Sequence, residues 1–414
     1  MNIVLPSTAD RKRLVVAQSL ILLNCYFCFT YIYESFLIYI SWLIVPTACI
    51  LWLTTKPWKH FALNVLTSAQ IVLYAWFITI TIIHREFGLG PQMLLSGVFL
   101  FFIMSNVFKS GKEATQTTLY LLFLIVILST IYCILGLIRA QFVPIVGYRN
   151  EGITVNPNTF GTFCFIGLTA IIGVYHFWGK NASWIVKLVL TCMFLLNLFS
   201  LFISDSRTAF VGIITFCFCY FLIFCYRHVR NKKLYWLLFF MLVLFASGLS
   251  VWYIFHRGYD FSDSESLYSI LDKLSSGRMK LWTTGLRILR AHPLLGITSL
   301  EYDELIYKNG GEYLGQHNIF MGLGTQFGIP AIILLLALVI GTGIIIVRTY
   351  RKNSVGQVQK EWLIFWACFL LALLVNDMFE TCIIFLHMPN SFLFFFGIGV
   401  VTRIYQDTKS KEQP

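Results

Sequence analysis

The sequence predicts an all-α integral membrane protein, with about twelve transmembrane helices and one long extracytoplasmic loop carrying short amphipathic helices. Three observations predict this class. Of the 414 residues, 58% are hydrophobic and only 12% are charged, whereas a soluble domain carries about 25% charge and about 45–50% apolar residues. The mean hydropathy is +0.76, too high for a polar surface that could cover a water-soluble globule. The apolar residues also fall in long runs that reach the roughly 20 residues a spanning helix needs at about 1.5 Å rise each. The net charge of +12 does not point to nucleic acid, because no stretch is polar enough to form such a domain. In a membrane protein that excess is charge retained on the cytoplasmic side.

The apolar runs place spans near 14–33, 36–53, 61–83, 91–108, 117–138, 160–178, 184–203, 207–226, 234–255, 318–347, 362–384 and 390–405. Only Ser204-Asp205-Ser206 separates the seventh from the eighth, so a tight turn is expected there. The 318–347 run exceeds one span and contains Gly328 and Pro330, which predicts a kink or a broken helix. The N-terminus passes from Arg11-Lys12-Arg13 into a full-length span with no small-residue cleavage site. With that end inside, 20 Lys and Arg fall on the cytoplasmic side and 11 on the other. Seven of the 11 lie in the 256–316 loop, which counts little in the sidedness rule. The short outer connections hold only Arg85, Arg139, Arg149 and Arg207. Both termini are therefore expected in the cytoplasm, with 256–316 outside.

The chain thus divides into nine spans over 1–255, the outer loop 256–316, and three spans with a cytoplasmic tail over 317–414. The loop's 61 residues are too few for a strong core of their own, so it is expected to pack on the outer face of the bundle. Residues 277–290 have helical periodicity, with Leu281, Trp282, Leu286 and Leu289 on one face and Lys280, Arg287 and Arg290 opposite. His292-Pro293 ends that helix. All 11 cysteines fall in predicted spans, where they read as small core residues. No disulfide framework, phosphate loop, zinc-protease motif or nucleophile elbow is present.

Four residues stand out chemically. Arg278 shares its helix face with Leu281, Trp282, Gly285 and Leu289, so it needs a carboxylate, a phosphate or water as partner. Arg207 follows Ser204-Asp205-Ser206 at the outer mouth of a span, where it either pairs with Asp205 or meets an external anion. Arg149 lies in an outer connection beside Glu151, a ready local partner, ahead of Asn156-Pro157-Asn158. Asn-Pro marks a turn, and Asn158 is placed to cap the next helix. His317 stands where the loop re-enters the membrane. A lone His there is usually interfacial, yet an imidazole with an ordinary pKa near 6.5 suits it to accept a hydroxyl proton at neutral pH. Outer-face guanidiniums with one imidazole match the needs of a diphosphate leaving group and an attacking hydroxyl. No acidic metal cage is evident, so the arginines would take the part of a divalent cation. Mid-span charges are few, and Asp377 and Glu380 lie near an outer end, which disfavours a transporter or lipid flippase.

These residues resemble the O-antigen ligase and polymerase superfamily in four places. They are Ser206-Arg207-Thr208-Ala209; Ser276-Gly277-Arg278 with Trp282 and His292-Pro293-Leu294-Leu295-Gly296; Gly152 with Asn156-Pro157-Asn158; and His317-Asn318 followed by nine residues and Gly328. The resemblance covers roughly 150–330, and the first five spans match in hydropathy only. It implies a GT-C-like, metal-independent, inverting glycosyltransferase without a cofactor. Arg207 and Arg278 would bind the diphosphate of an undecaprenyl-linked donor, and His317 would be the catalytic base. Arg149, Asn158, Asn318 and Trp282 are the expected substrate contacts.

The expectation is a Wzy-type polysaccharide polymerase in the bacterial cytoplasmic membrane. It would join undecaprenyl-diphosphate-linked repeats on the outer face of that membrane, for capsule, exopolysaccharide or O-antigen, beside a flippase and a chain-length regulator. Transfer of finished glycan to another acceptor, as ligases do, is the alternative.

Overall fold

A computed structural model describes residues 9–28, 30, 38–55, 64–86, 108–140, 149–154, 156–228, 236, 240, 278–308, 317–380 and 389–410. Among these residues the regular elements are helical, apart from one bridge between Thr30 and Thr154. In chain order they are α1 (Ala9–Phe27), α2 (Ile38–Thr54), α3 (Val65–Ile83), α4 (Gly111–Arg139), α5 (Pro157–Phe177), α6 (Trp184–Ser204) and α7 (Arg207–His228). There follow α8 (Arg278–Ala291), α9 (Ser299–Lys308), α10 (Ile319–Tyr350), α11 (Gln357–Asp377) and α12 (Pro389–Ser410).

Seven of the described helices, α3 to α7, α10 and α11, are long and apolar enough to cross a membrane. The sequence predicts twelve spans, and the described residues account for the difference. The expected spans 91–108 and 234–255 lie almost wholly outside them. α2 is short at 17 residues, α1 opens on the charged Asp10 to Arg13, and α12 is diluted by Asn390, Ser391 and Arg403. Exposed apolar side chains recur turn after turn on α6 (Trp184, Ile185, Leu188, Leu195, Phe202) and on α10 (Ile333, Ile340, Val347). In water such stripes would be a liability; against lipid they are the ordinary outer surface of a multi-pass membrane protein.

α5 is the central helix, buried almost continuously from Thr159 to Val174, and it packs against α4, α6 and α7. α11 lies along α7, and α3 along α10. Lipid tails are as apolar as the core, so association inside a bilayer rests on close packing. Aromatic contact supplies much of it: Phe177 stacks on Trp362 at 3.5 Å and 5°, and Phe216, Phe365 and Phe369 meet edge to face.

Of the loop, the described part is α8, α9 and the turn between them. α8 buries Leu281, Thr284, Gly285 and Ile288 against α10. Leu286, expected on the inward face, is exposed at 42%; the contact stripe is rotated so that Ile288 takes its place. Lys280, Arg287 and Arg290 face outward as the wheel predicts. α9 starts from a reciprocal cap, in which Glu301 N donates to Thr298 Oγ1 (3.1 Å) and Thr298 N to Glu301 Oε2 (2.9 Å). Those bonds hold the Glu301 carboxyl below the usual carboxylate range.

Candidate functional site

The starts of α5, α7, α8 and α10 and the segment after α11 meet at one end of the bundle. Each is fixed by local chemistry. At α5, Asn156 rather than Asn158 is the cap: its Oδ1 accepts from Asn158 N (2.7 Å) and Thr159 N (3.2 Å), with Pro157 at the first helical position. The Asn158 side chain is therefore released from capping. Its Oδ1 accepts from Arg149 Nη2 at 2.5 Å, and its Nδ2 donates to Glu380 Oε1 at 2.7 Å. Glu151 is not the partner of Arg149; it meets Arg139 at 3.5 Å. The peptide carrying Arg149 is tied down by Asn150 N donating to Ile203 O (3.1 Å).

α6 and α7 are joined by the tight turn the sequence predicts. Asp205 reverses the chain at φ 50°, and Arg207 is the first residue of α7. The hydroxyls of Ser206 and Thr208 lie 3.2 Å apart, buried below it.

The kink in α10 organises the rest. Gly328 adopts φ 76° inside the helix, two residues before Pro330, a conformation glycine reaches without steric cost. The break leaves backbone groups without helical partners, and the turn His292–Gly296 fills them. Ile329 N donates to Pro293 O (2.8 Å), and Ile297 N donates to Thr325 O (2.7 Å). Trp76 Nε1 donates to Phe327 O at 2.8 Å. Any side chain at Gly328 would collide with the Leu294 carbonyl. The glycine that follows His317-Asn318 is thus the seat of the turn that ends α8, so one joint fixes the helix bearing Arg278 and the helix preceded by His317.

Asn318 caps α10, accepting from Phe320 N (2.9 Å) and Met321 N (3.1 Å), while its Nδ2 donates to Met378 O (2.9 Å). Its amide is committed to the backbone and holds α10 to the end of α11. Two residues on stands Glu380. Its Oε1 meets Arg278 Nη2 at 3.2 Å and its Oε2 meets His317 Nδ1 at 3.1 Å. A carboxylate paired with a guanidinium accepts, so Nδ1 is the donor in this bond and Nε2 is the ring nitrogen turned away from Glu380. His317 itself sits at φ 46°, a left-handed conformation that costs about 1–2 kcal/mol in a non-glycine residue. The bond to Glu380 and the Asn318 cap flank that strained position.

Arg278 has a side chain only 16% exposed. Burial pushes its guanidinium pKa down; Glu380 opposes that, while the charges of Arg149 and Arg207 add to it. The charges of Arg149 and Arg207 thus both act on Arg278, which shares Glu380 with His317. Such a cluster favours an anion with several oxygens, which can take bidentate bonds from more than one guanidinium. Trp282 packs on the Leu281–Ile288–Ile297–Tyr302 cluster, its ring centroid 6.5 Å from that of Phe379. Glu380 is the residue that sequence reasoning placed near an outer end without giving it a part. The signal was an acid at the end of a span on the face where the arginines stand.

The structure is that of a membrane-embedded helical bundle with arginines, a histidine and a glutamate gathered at one end, an arrangement suited to binding an anion. Residues 192–336 match the family model described as O-antigen ligase, Wzy_C. The match supports the O-antigen ligase/polymerase superfamily for this chain, and with it a glycosyltransferase- or ligase-type enzyme acting on lipid-linked glycans. It spans Arg207, Arg278, His317 and Gly328, and ends before Glu380. No curated protein matches the chain in sequence.

Proposed function

We propose that the protein is a polysaccharide polymerase. It takes an undecaprenyl-diphosphate-linked glycan as donor and transfers it to a hydroxyl on the non-reducing sugar of a second lipid-linked repeat. The hydroxyl oxygen attacks the donor's anomeric carbon, and His317 Nε2 accepts the hydroxyl proton. The anomeric carbon–oxygen bond to the diphosphate breaks, and its electron pair leaves with undecaprenyl diphosphate. Arg207 and Arg278, with Arg149 beside them, stabilise that departing charge. Attack opposite the leaving group inverts the anomeric configuration. The site faces the outside of the cytoplasmic membrane, because the sidedness of Lys and Arg puts both termini within.

The observation that carries this reading is the convergence of Arg278 and His317 on Glu380, with the charges of Arg149 and Arg207 acting on Arg278. Arginines supply there the positive charge that a divalent cation supplies elsewhere. A ligase that hands finished glycan to another acceptor uses the same donor chemistry, and the description of the matching family favours it as a second reading. Purified protein given a single lipid-linked repeat separates the two. A polymerase produces a ladder of lengthened lipid-linked chains, whereas a ligase produces none until a different acceptor is added.

A further inference from the structure

Resting on that reading of the site, we propose that Glu380 is a positioning residue that exchanges partners during the reaction. Without donor it neutralises Arg278; when a diphosphate takes over Arg278, the carboxylate is left to His317. Three observations point this way. Glu380 is buried, at 8% exposure, and its two oxygens are divided: Oε1 takes Arg278 and Asn158, while Oε2 takes His317. The charges felt by Arg278 from Arg149 and Arg207 make its surroundings repulsive, which a single carboxylate offsets. A diphosphate brings more oxygens and more negative charge to the same guanidiniums than one carboxylate does, so it competes for Arg278 directly.

Among the described residues, the partner of His317 Nδ1 is Glu380 Oε2. With Oε1 released by Arg278, the carboxylate's charge acts chiefly on the Nδ1–H. It keeps the imidazole in the tautomer with Nε2 unprotonated and stabilises the positive charge that appears once Nε2 has taken the hydroxyl proton. Proton acceptance is thereby strengthened once donor has arrived, and a donor-free site, in which Arg278 shares the carboxylate, presents a weaker base to water. Asn158, bonded to both Arg149 and Glu380, holds Oε1 in place when Arg278 lets go. The role requires opposite effects on binding and on turnover, which a purely structural carboxylate does not produce.

The test uses full-length protein in nanodiscs, with undecaprenyl diphosphate as the binding probe and release of undecaprenyl diphosphate from a lipid-linked repeat as the activity readout. Glu380→Gln should bind the probe more tightly, by about five-fold, because Arg278 loses a competing anion. The same variant should turn over about 100-fold more slowly, because the tautomer and the imidazolium lose their support. Unchanged or weaker binding, or turnover at the wild-type rate, overturns the proposal. If the glutamine variant is not recovered from membranes, Glu380→Asp carries the test. It keeps the charge but is one methylene shorter, so it should bind the probe like wild type and turn over several-fold more slowly; wild-type turnover overturns the proposal. Wild-type protein that fails to bind undecaprenyl diphosphate overturns the diphosphate site itself and this inference with it. Binding by wild type with no split in Glu380→Gln overturns the inference alone.

Discussion

At each end of the bundle a glutamate stands between an arginine and a histidine, and the two trios are built differently. Glu361, near the start of α11, meets Arg227 at 2.7 Å and lies 3.8 Å from His176, the latter beyond hydrogen-bond reach. Both partners come from the ends of α5 and α7, helices that pack together in any case. They line a cavity of about 290 Å³ with Lys180, Tyr220 and Phe224. Glu380, one span away past the other end of α11, makes hydrogen bonds to Arg278, His317 and Asn158. Its partners stand at the starts of α8, α10 and α5, and two of those depend on a loop turn docked into a helix kink. The first trio joins side chains of helices that already pack together. The second needs a left-handed histidine and neighbouring arginines, both of which cost free energy, on a joint that only a positive-φ glycine admits.

The sharpest way to break this contrast is to remove Arg278 or His317. Arg278→Ala and His317→Ala should each cut glycosyl transfer by at least about 100-fold, while the protein stays in the membrane; quantifying surface polymer and membrane-inserted protein together checks this. Gly328→Ala comes next. A Cβ there clashes with Leu294 O at positive φ, so the joint beneath both residues should loosen. A loss of about 1–3 kcal/mol in stability should appear as a lower melting temperature in detergent, accompanied by lost transfer. At the opposite end, Glu361→Gln should leave transfer within about two-fold of wild type, since a partly exposed ion pair contributes about 0.2–1 kcal/mol to stability and this one stands at the other end of α11 from Glu380. A large activity loss there, with normal melting, would erase the distinction between the two ends. Smallest of all, Leu286→Gln on the exposed face of α8 should shift stability by no more than about 0.5 kcal/mol.

Much of this was legible in the amino-acid order. Apolar run lengths identify the spanning helices. Gly328 and Pro330 announce the break in α10, and the sequence singles out Arg149, Arg207 and Arg278, whose charges act together at Arg278. What escaped depends on contacts between segments distant in sequence. Glu380 is 63 positions from His317 and 102 from Arg278, so no local spacing links them, and on the sequence it is an ordinary acid at the end of a span. Arg149 looked satisfied by Glu151, yet Arg139 takes that carboxylate because the turn at Gly152 folds back on α4, with Arg139 Nη1 also donating to Gly152 O. The inward stripe of α8 was misjudged at Leu286 because docking of the His292–Gly296 turn sets the rotation of that helix. Periodicity alone does not fix it. Asn156 outcompetes Asn158 as the cap because Pro157 must occupy the first helical position.

The central claim is that the cluster around Glu380 transfers a glycan from a lipid diphosphate with His317 as base. Its most direct test follows undecaprenyl diphosphate release and product length when purified protein meets a single undecaprenyl-diphosphate-linked repeat. Wild type should release the lipid diphosphate in step with a growing ladder, and His317→Ala should bind the repeat but release almost none. Release by His317→Ala at the wild-type rate would contradict the claim.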